Sequence, residues 1–211
     1  MPSHEINTSD EPIRLFKSDF MEFFTHIHPL VVLLIWLPVV AYGLWRGAAL
    51  RPIGSNWAWL ALVWLLGLFI WTLSEYVLHR FLFHYPASTP RQERIFFLFH
   101  GVHHAQPRSK TRLVMPPVLS IPLAAVFYGL FWLVLDVFLG RSFLVGPMFA
   151  GFISGYLTYD MLHYSIHHFQ MRSGYWKMIR RHHMHHHFQT PNQRFGVSSP
   201  LWDHVFGTYP E

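Results

Sequence analysis

Four long apolar segments constrain the fold of this chain more than any other feature. They cover about residues 29–45, 57–78, 118–139 and 143–160, and each approaches the roughly 17–25 residues that a helix needs to cross a bilayer. Only 13% of the 211 residues are charged, against about 25% in an ordinary soluble domain. Because short links join the segments in pairs, the sequence predicts an all-α integral membrane protein with four transmembrane helices in two hairpins, which form one domain over residues 29–211.

The residues ahead of these segments predict a polar tail and an interfacial helix within 1–28. Residues 1–12 offer few apolar side chains to bury, which is typical of disorder. Residues 13–27 alternate apolar and charged side chains in a spacing that fits an amphipathic helix. The sequence leaves open whether this helix lies on the membrane surface or packs against the protein.

The distribution of basic residues predicts the orientation in the membrane. Of the 16 lysines and arginines, only Arg46, Arg51 and Arg141 fall in the links within the two hairpins. The positive-inside rule therefore places both termini and the 79–117 loop in the cytosol, in a bacterial inner membrane or the endoplasmic reticulum. The net charge of +5 fits contact with anionic membrane lipids. We expect no nucleic-acid partner, because the chain has no basic surface interleaved with aromatic residues.

Histidines are concentrated in four clusters, all on the predicted cytosolic side. The chain has 17 histidines and no cysteine. Imidazole is the commonest metal ligand in proteins and suits iron and zinc, and the clusters supply enough side chains for two ions. The sequence therefore predicts a histidine-rich dimetal site in a cytosolic helical cap. The clusters are His79-x4-His84, His100-x2-His103-His104, His163-x3-His167-His168 and His182-x2-His185-His186.

The spacing within each cluster predicts which imidazoles converge. Residues three or four apart lie on one face of a helix. We therefore expect three sets to meet, each at one point: His100, His103 and His104; His163 and His167; and His182, His185 and His186. His79 and His84 are five residues apart, which is about 140° around an ideal helix. They either bind different metals or straddle a helix break.

Carboxylates near the apolar segments are candidate partners for the second nitrogen of a bound imidazole. Glu75 precedes His79 by one turn, and Asp160 precedes His163 by three residues. A charge beside an apolar segment is costly without a partner, although each carboxylate could instead face water at a helix end. Further candidates for such an outer position are His168, His183, His187 and Asp203.

Six motifs together resemble the fatty acid hydroxylase superfamily over about residues 70–211. Two of them, RLVMPP and SSPLWDHVFGTYP, are similar to the fatty acid 2-hydroxylase branch in particular. The motifs are HRFLFH (79–84), HGVHH (100–104), RLVMPP (112–117), HYSIHH (163–168), HHMHH (182–186) and SSPLWDHVFGTYP (198–210).

The resemblance implies a membrane dimetal oxygenase that uses O2 to hydroxylate carbon 2 of a fatty acyl chain, free or in a ceramide-like lipid. Iron is the expected working metal, and zinc can occupy such sites in purified material. By motif position, the implied metal ligands and catalytic residues are His79, His84, His100, His103, His104, His163, His167, His182, His185 and His186.

The resemblance also implies an electron donor. Animal and fungal members often carry a cytochrome b5-like domain with a haem-binding His-Pro-Gly-Gly, whereas this chain has only His28-Pro29. We therefore expect a separate donor, cytochrome b5-like or ferredoxin-like with a reductase, which basic residues of the 79–117 loop would attract electrostatically.

Other functions remain as alternatives. A desaturase, a sterol methyl oxidase or a carotenoid hydroxylase of the same superfamily would use similar histidines, although RLVMPP and SSPLWDHVFGTYP favour 2-hydroxylation. A metal transporter would need polar ligands across the bilayer midplane, and the apolar segments contain few. A closed structural zinc site is disfavoured because it uses four ligands, usually including cysteine.

Overall fold

A computed structural model describes residue 9, residues 11–54 and residues 56–210, and the regular secondary structure in these ranges is entirely helical. The all-α fold class is confirmed, whereas most of the predicted tail, residues 1–8 and 10, lies outside the described residues. The α-helices are α1 (Asp19–Phe23), α2 (Pro29–Ala49), α3 (Ala58–Val77), α4 (Pro90–Phe96), α5 (Val102–Ala105), α6 (Pro117–Phe131), α7 (Ser142–His168), α8 (Gly174–Phe188) and α9 (Leu201–Val205). π-Helical turns follow α3, α4 and α6 at Leu78–Phe83, Phe97–Gly101 and Trp132–Phe138.

The described chain forms two compact units. The first contains the residues up to Pro29, Leu73–Val114 and the residues from Tyr159 onward. The second contains Leu30–Thr72 and Met115–Thr158. All four histidine clusters belong to the first unit, and most of the apolar segments belong to the second.

In the described part of the chain, three helical stretches are long and apolar enough to cross a membrane. They are Pro29–Ala49, Ala58–Phe83 and Pro117–Phe138, which match three of the four predicted spans closely. The fourth, 143–160, lies in α7, which is not among these stretches. α7 is less apolar than the three stretches because glycines and residues with hydroxyl side chains interrupt the apolar residues of 143–160.

The glycines of α7 allow close packing inside the second unit. A Cβ atom at Gly146 would lie 2.6 Å from the carbonyl oxygen of Gly43 in α2. A Cβ at Gly151 would overlap the carbonyl oxygen of Trp64 in α3. Small residues at such crossings let helix backbones approach closely, as is common between membrane helices. α7 is therefore fixed against α2 and α3 by backbone contact.

The N-terminal segment of the first unit is an irregular strap bound by polar contacts. Of the predicted 13–27 helix, only α1 (Asp19–Phe23) forms, with Ser18 as its N-cap. The Gln106 side chain accepts from the N–H of Ile13 at 2.8 Å and donates to the Glu11 carbonyl at 2.9 Å.

Arg112 completes the attachment of this strap. Its guanidinium forms an ion pair with Glu22 and donates to the Ile13 carbonyl. The other Glu22 oxygen accepts from the backbone N–H groups of Leu15 and Phe16 at 3.0 and 2.8 Å. Because only 3% of the Arg112 side chain is exposed, this residue of the RLVMPP motif belongs to the interior of the unit.

Candidate metal centre

Ten histidines of the first unit collect in two groups of five that could each hold a metal ion. In each group, one ring nitrogen per residue lies within 4.8 Å of the others. The first group contains His79, His84, His100, His104 and His186, and the second contains His103, His163, His167, His183 and His187.

The spacing of the ring nitrogens fits ligands around a common ion. In the first group, the Nε2 atom of His100 lies 3.0 Å from that of His79 and 3.1 Å from that of His104. In the second group, the Nε2 atom of His183 lies 3.0 Å from that of His167 and 3.1 Å from that of His187. Perpendicular ligands about 2.1 Å from one metal are about 3.0 Å apart, whereas tetrahedral ones are about 3.4 Å apart. These nitrogen spacings are compatible with ligands that share one ion.

A π-helical turn brings His79 and His84 into one group. The N–H of His84 donates to the carbonyl of His79 at 3.0 Å, which is the hydrogen bond of a π-turn between residues five apart. The helix ends at His84. The sequence leaves open two alternatives, different metals or a helix break between the two residues; the structure instead has one group, reached through a continuous π-turn.

The His100–His104 cluster divides between the groups instead of converging on one point. Its π-turn, Phe97–Gly101, leads directly into α5. The Nε2 atom of His103 lies 3.0 Å from that of His187 in the second group, whereas His100 and His104 belong to the first. This short stretch of chain therefore contributes to both groups.

The register of α8 differs from the one expected from the sequence. His183 and His187, expected at outer positions, belong to the second group, while His186 belongs to the first. His182 lies outside both groups, with its Nε2 atom 3.1 Å from a carboxylate oxygen of Asp203. His185 is only half-buried and also lies outside them.

α7 supplies the remaining members of the second group. His163 and His167 are one turn apart near the end of the helix. Neither ring nitrogen of the buried His163 has a hydrogen-bond partner among the described residues. Because a buried polar atom without a partner is costly, this imidazole suits a metal ligand. His168 lies outside both groups, and its ring contacts Tyr164 with 4.4 Å between ring centroids.

Burial keeps these imidazoles neutral, which is the protonation state that binds metal. The pKa of His104 is lowered to about 3, mainly by burial and then by the neighbouring His79 and His167. Burial, followed by repulsion from nearby histidines, also lowers the pKa of His183 and His187 well below the ordinary value.

Backbone carbonyls from the C-terminal segment orient two histidines of the first group. The Nδ1 atom of His79 lies 2.5 Å from the Phe195 carbonyl oxygen, and that of His186 lies 2.7 Å from the Gln193 carbonyl oxygen. A proton held on Nδ1 leaves Nε2 free to bind a metal. The sequence does not identify these two acceptors, because any residue type can offer a backbone carbonyl.

Asp203 fixes the loop that carries these carbonyls. Its carboxylate accepts from the N–H groups of Phe195 and Gly196, both at 2.8 Å, and from the Thr208 hydroxyl at 2.7 Å. Burial alone would raise the pKa of Asp203, but these hydrogen bonds and the one from His182 hold it below the ordinary value. Asp203 therefore contributes to the position of His79 and His186 through the loop.

Glu75 fixes the continuation of the same loop. One carboxylate oxygen accepts from the N–H groups of Val197 and Ser198 at 2.7 and 2.8 Å, and the other accepts from the Ser198 hydroxyl. Glu75 is thus an acceptor for backbone N–H groups of this loop, and its predicted role as an acceptor for a histidine stays a prediction. Asp160 is buried in α7, three residues before His163.

The chain is similar to known proteins in both sequence and structure. The family model described as fatty acid hydroxylase matches residues 64–208. A dihydroceramide fatty acyl 2-hydroxylase of Arabidopsis thaliana is 36% identical over 207 residues, which cover 98% of this chain and 84% of that protein. A ceramide very long chain fatty acid hydroxylase of Saccharomyces cerevisiae is 39% identical over 194 residues, which cover 90% of this chain and 48% of that protein.

A solved structure of full-length scs7p, in which only the hydroxylase domain is visible, has a similar fold. Its TM-score is 0.82 at 37% sequence identity, and the match covers 92% of this chain and 70% of that chain.

Proposed function

Because the chain belongs to the fatty acid hydroxylase family, we propose that it is an O2-dependent monooxygenase that hydroxylates carbon 2 of a fatty acyl chain. The acyl chain is free or is the N-acyl chain of a ceramide-like lipid. The observation that carries the proposal is the pair of five-histidine groups in one unit, with nitrogen spacings that suit two ions. The relatives that are named as 2-hydroxylases support carbon 2 as the position of attack.

The proposed ligands follow the geometry of the two groups. His79, His84, His100, His104 and His186 would hold one ion, and His103, His163, His167, His183 and His187 would hold the other. Five imidazoles and no thiolate suit iron, and zinc fits the same donors. Bound iron supplies the O2 reduction and C–H oxidation that no side chain can perform.

The protein side chains perform the remaining work. The Phe195 and Gln193 carbonyls hold the Nδ1 protons of His79 and His186, which directs both Nε2 atoms inward. Burial lowers the pKa of His104 to about 3 and so keeps it neutral at physiological pH.

The membrane layout is part of the proposal. α7 would add a fourth span at 143–160 to the three long apolar stretches, giving two hairpins with residues 29–211 as one domain. Both termini and the metal centre would face the cytosol, in a bacterial inner membrane or the endoplasmic reticulum, in agreement with the distribution of basic residues. A separate cytochrome b5-like or ferredoxin-like donor would supply the electrons there.

Lipid mass spectrometry on cells that express the protein tests this function. The wild type should add one oxygen atom at carbon 2 of acyl chains, as mapped by fragmentation. His167→Ala should abolish the product while the protein remains in the membrane, and His185→Ala, outside both groups, should retain it. Loss of a hydrogen pair would indicate a desaturase, and an oxygen gain on a sterol or carotenoid would indicate another branch.

A further inference from the structure

The outward face of α8 carries positive charge that metal binding does not explain. Residues 161–202 contain five lysines and arginines and no aspartate or glutamate. Two of the five, Lys177 and Arg181, are exposed and lie one turn apart on α8. This stretch of the sequence therefore offers no carboxylate of its own to neutralise them.

Arg194 adds a third cation beside the same helix. Its guanidinium carbon lies 4.9 Å from the centroid of the Tyr209 ring, and one of its nitrogens lies 3.5 Å from the Nδ1 atom of His182. Its backbone N–H donates to the Thr208 carbonyl at 3.0 Å. These contacts keep the Arg194 side chain next to α8.

The half-buried His185 reports how close these cations are. Burial, followed by repulsion from Arg194 and Arg181, lowers the pKa of His185 below its ordinary value. Exposed charges separated by more than about 8–10 Å are largely screened by salt, so both guanidinium groups lie near this imidazole. Lys177, Arg181 and Arg194 together form what we call the α8 cationic surface.

The opposite face of α8 carries members of both histidine groups. His186 belongs to the first group, and His183 and His187 belong to the second. These three residues are buried, whereas Lys177 and Arg181 are exposed. A helix with its side chains is about 10–12 Å across. Little more than the width of one helix therefore separates the α8 cationic surface from both groups.

The proposed reaction needs a supply of electrons at the histidine groups. One oxygen atom of O2 enters the product and the other leaves as water, which consumes two electrons and two protons in each turnover. Two reduced one-electron carriers supply the electrons and leave oxidised, and water supplies the protons. Encounters between electron-transfer proteins are typically small and transient, and complementary charge accelerates them. A carrier therefore needs a charged surface close to the histidines.

We propose that the α8 cationic surface is the docking site for an acidic one-electron carrier protein. The assignment rests on the proposed function, since that reaction requires the carrier. Carboxylates of the carrier pair with Lys177, Arg181 and Arg194, and the electrons reach the histidine groups across the width of α8. Anionic lipid head groups would also be attracted by these cations, but only an electron carrier gains from lying next to members of both groups.

The 79–117 loop, which the sequence predicts as the attracting surface, suits an acidic carrier less well. Arg112 is paired with Glu22 in the interior of the unit. Arg94 directly follows Glu93 on α4, and that carboxylate would repel an acidic protein. Variants that remove equal charge from the loop and from α8 distinguish the two surfaces.

Carrier binding to the metal-loaded full chain in lipid nanodiscs tests the assignment. The probes are two acidic one-electron carriers, a cytochrome b5 haem domain and a [2Fe–2S] ferredoxin, each in the oxidised state. The variants are Lys177→Gln, Arg181→Gln and the double charge reversal Lys177→Glu with Arg181→Glu. Arg91→Gln is the matched control, because it removes the same charge from α4 in the 79–117 loop. Affinity is measured over a range of salt concentrations, and metal content is measured for each variant.

The strength of exposed charge pairs leads us to expect about 2- to 5-fold weaker carrier binding for each single change on α8. The double charge reversal should weaken binding by about 10-fold or more and should flatten its dependence on salt concentration. Arg91→Gln should bind both carriers as the wild type does. Metal content should stay unchanged in every variant, because Lys177 and Arg181 belong to neither histidine group.

Unchanged carrier binding by the double charge reversal would overturn the assignment. A larger effect of Arg91→Gln than of the α8 changes would also overturn it and would place docking on the 79–117 loop. If the charge reversal leaves carrier binding intact but lowers the number of anionic lipids that the protein retains in mixed nanodiscs, the surface contacts the membrane instead.

The docking site and the proposed function can fail separately. If carbon 2 is hydroxylated but the α8 variants bind the carriers normally, the docking site alone is wrong. If carrier binding changes as expected but the wild type forms no 2-hydroxy product after chemical reduction and addition of O2, the proposed function is wrong.

Discussion

Two neighbouring residues of α8 give opposite predictions that test the proposed ligand set. His182 lies outside both groups and is held by Asp203, whereas His183 belongs to the second group. Both side chains are almost fully buried, with relative exposures of 3% and 0%. Replacing either residue by alanine therefore removes a similar amount of packing. Any difference in metal content or stability between the two variants then reports the hydrogen bond of His182 and the metal binding of His183.

The structure sets the expected magnitudes. Loss of an outer partner of a metal ligand typically costs 10- to 100-fold in metal affinity, so loss of His183 itself should cost about 100-fold or more. That factor corresponds to about 2.7 kcal/mol. His182→Ala instead removes a hydrogen bond to a buried carboxylate, which is worth about 1.5–3 kcal/mol of folding stability.

Metal titration and thermal unfolding separate these effects. At a metal concentration that just saturates the wild type, His183→Ala should retain about half of the bound metal, whereas His182→Ala should retain both ions. In the metal-free form, His182→Ala should unfold at the lower temperature of the two. If His182→Ala loses one ion and His183→Ala keeps both, the α8 register described above is wrong and the ligand set expected from the sequence motif is right.

Three further changes test the scaffold. Four groups donate hydrogen bonds to the Asp203 carboxylate, and Asp203→Asn leaves two of them without an acceptor. We therefore expect the unfolding free energy, measured by denaturation, to fall by about 3 kcal/mol. We also expect metal to be lost selectively from the first group. Gly151→Ala should lower the stability of the protein by about 1–3 kcal/mol in a thermal assay, because the new methyl group overlaps the Trp64 carbonyl. Gly129→Ala is the matched control: its methyl group enters open space, so this variant should be neutral or slightly stabilising. Glu22→Gln should cost about 3 kcal/mol or more by leaving the buried Arg112 charge unpaired, and restoration of stability by a second change, Arg112→Met, would separate the charge effect from packing.

The sequence predicted the helical class and most helix positions because apolar length is a strong local signal. The first span, expected at 29–45, is α2 (Pro29–Ala49), and the second, expected at 57–78, begins with α3 at Ala58. It also predicted that the histidine clusters would meet. All of the expected ligands except His182 and His185 lie in the two groups.

The division of histidines between the groups could not be predicted from spacing, because spacing arguments assume 3.6 residues per turn. The π-turn before His84 violates that assumption, and the turn at Phe97–Gly101 violates it again. On α8, five of the six residues 182–187 are histidines, so periodicity cannot distinguish an inward face. Contact of His182 with Asp203, which lies 21 residues further along, distinguishes it instead.

The two groups differ in how their ligands are held, and this difference bears on their roles. In the second group, His163 and His167 are one turn apart in α7, and His183 and His187 are one turn apart in α8, so regular helices fix four of its five members. In the first group, three members lie in or at the end of two π-turns, His104 lies in the four-residue α5 and only His186 lies in a long regular helix, α8. Loop carbonyls orient two of the five.

π-Turns and loops deform at lower cost than continuous helices, so the first group has the more adjustable frame. It is also the group that contains His84, which lies in the wall of a cavity of about 700 Å³. We therefore expect the ligands of the first ion to shift when an acyl lipid binds, while the second ion stays fixed by α7 and α8. Lipid binding should accordingly perturb the spectroscopic signature of only one of two bound ions, and equal perturbation of both would contradict this division.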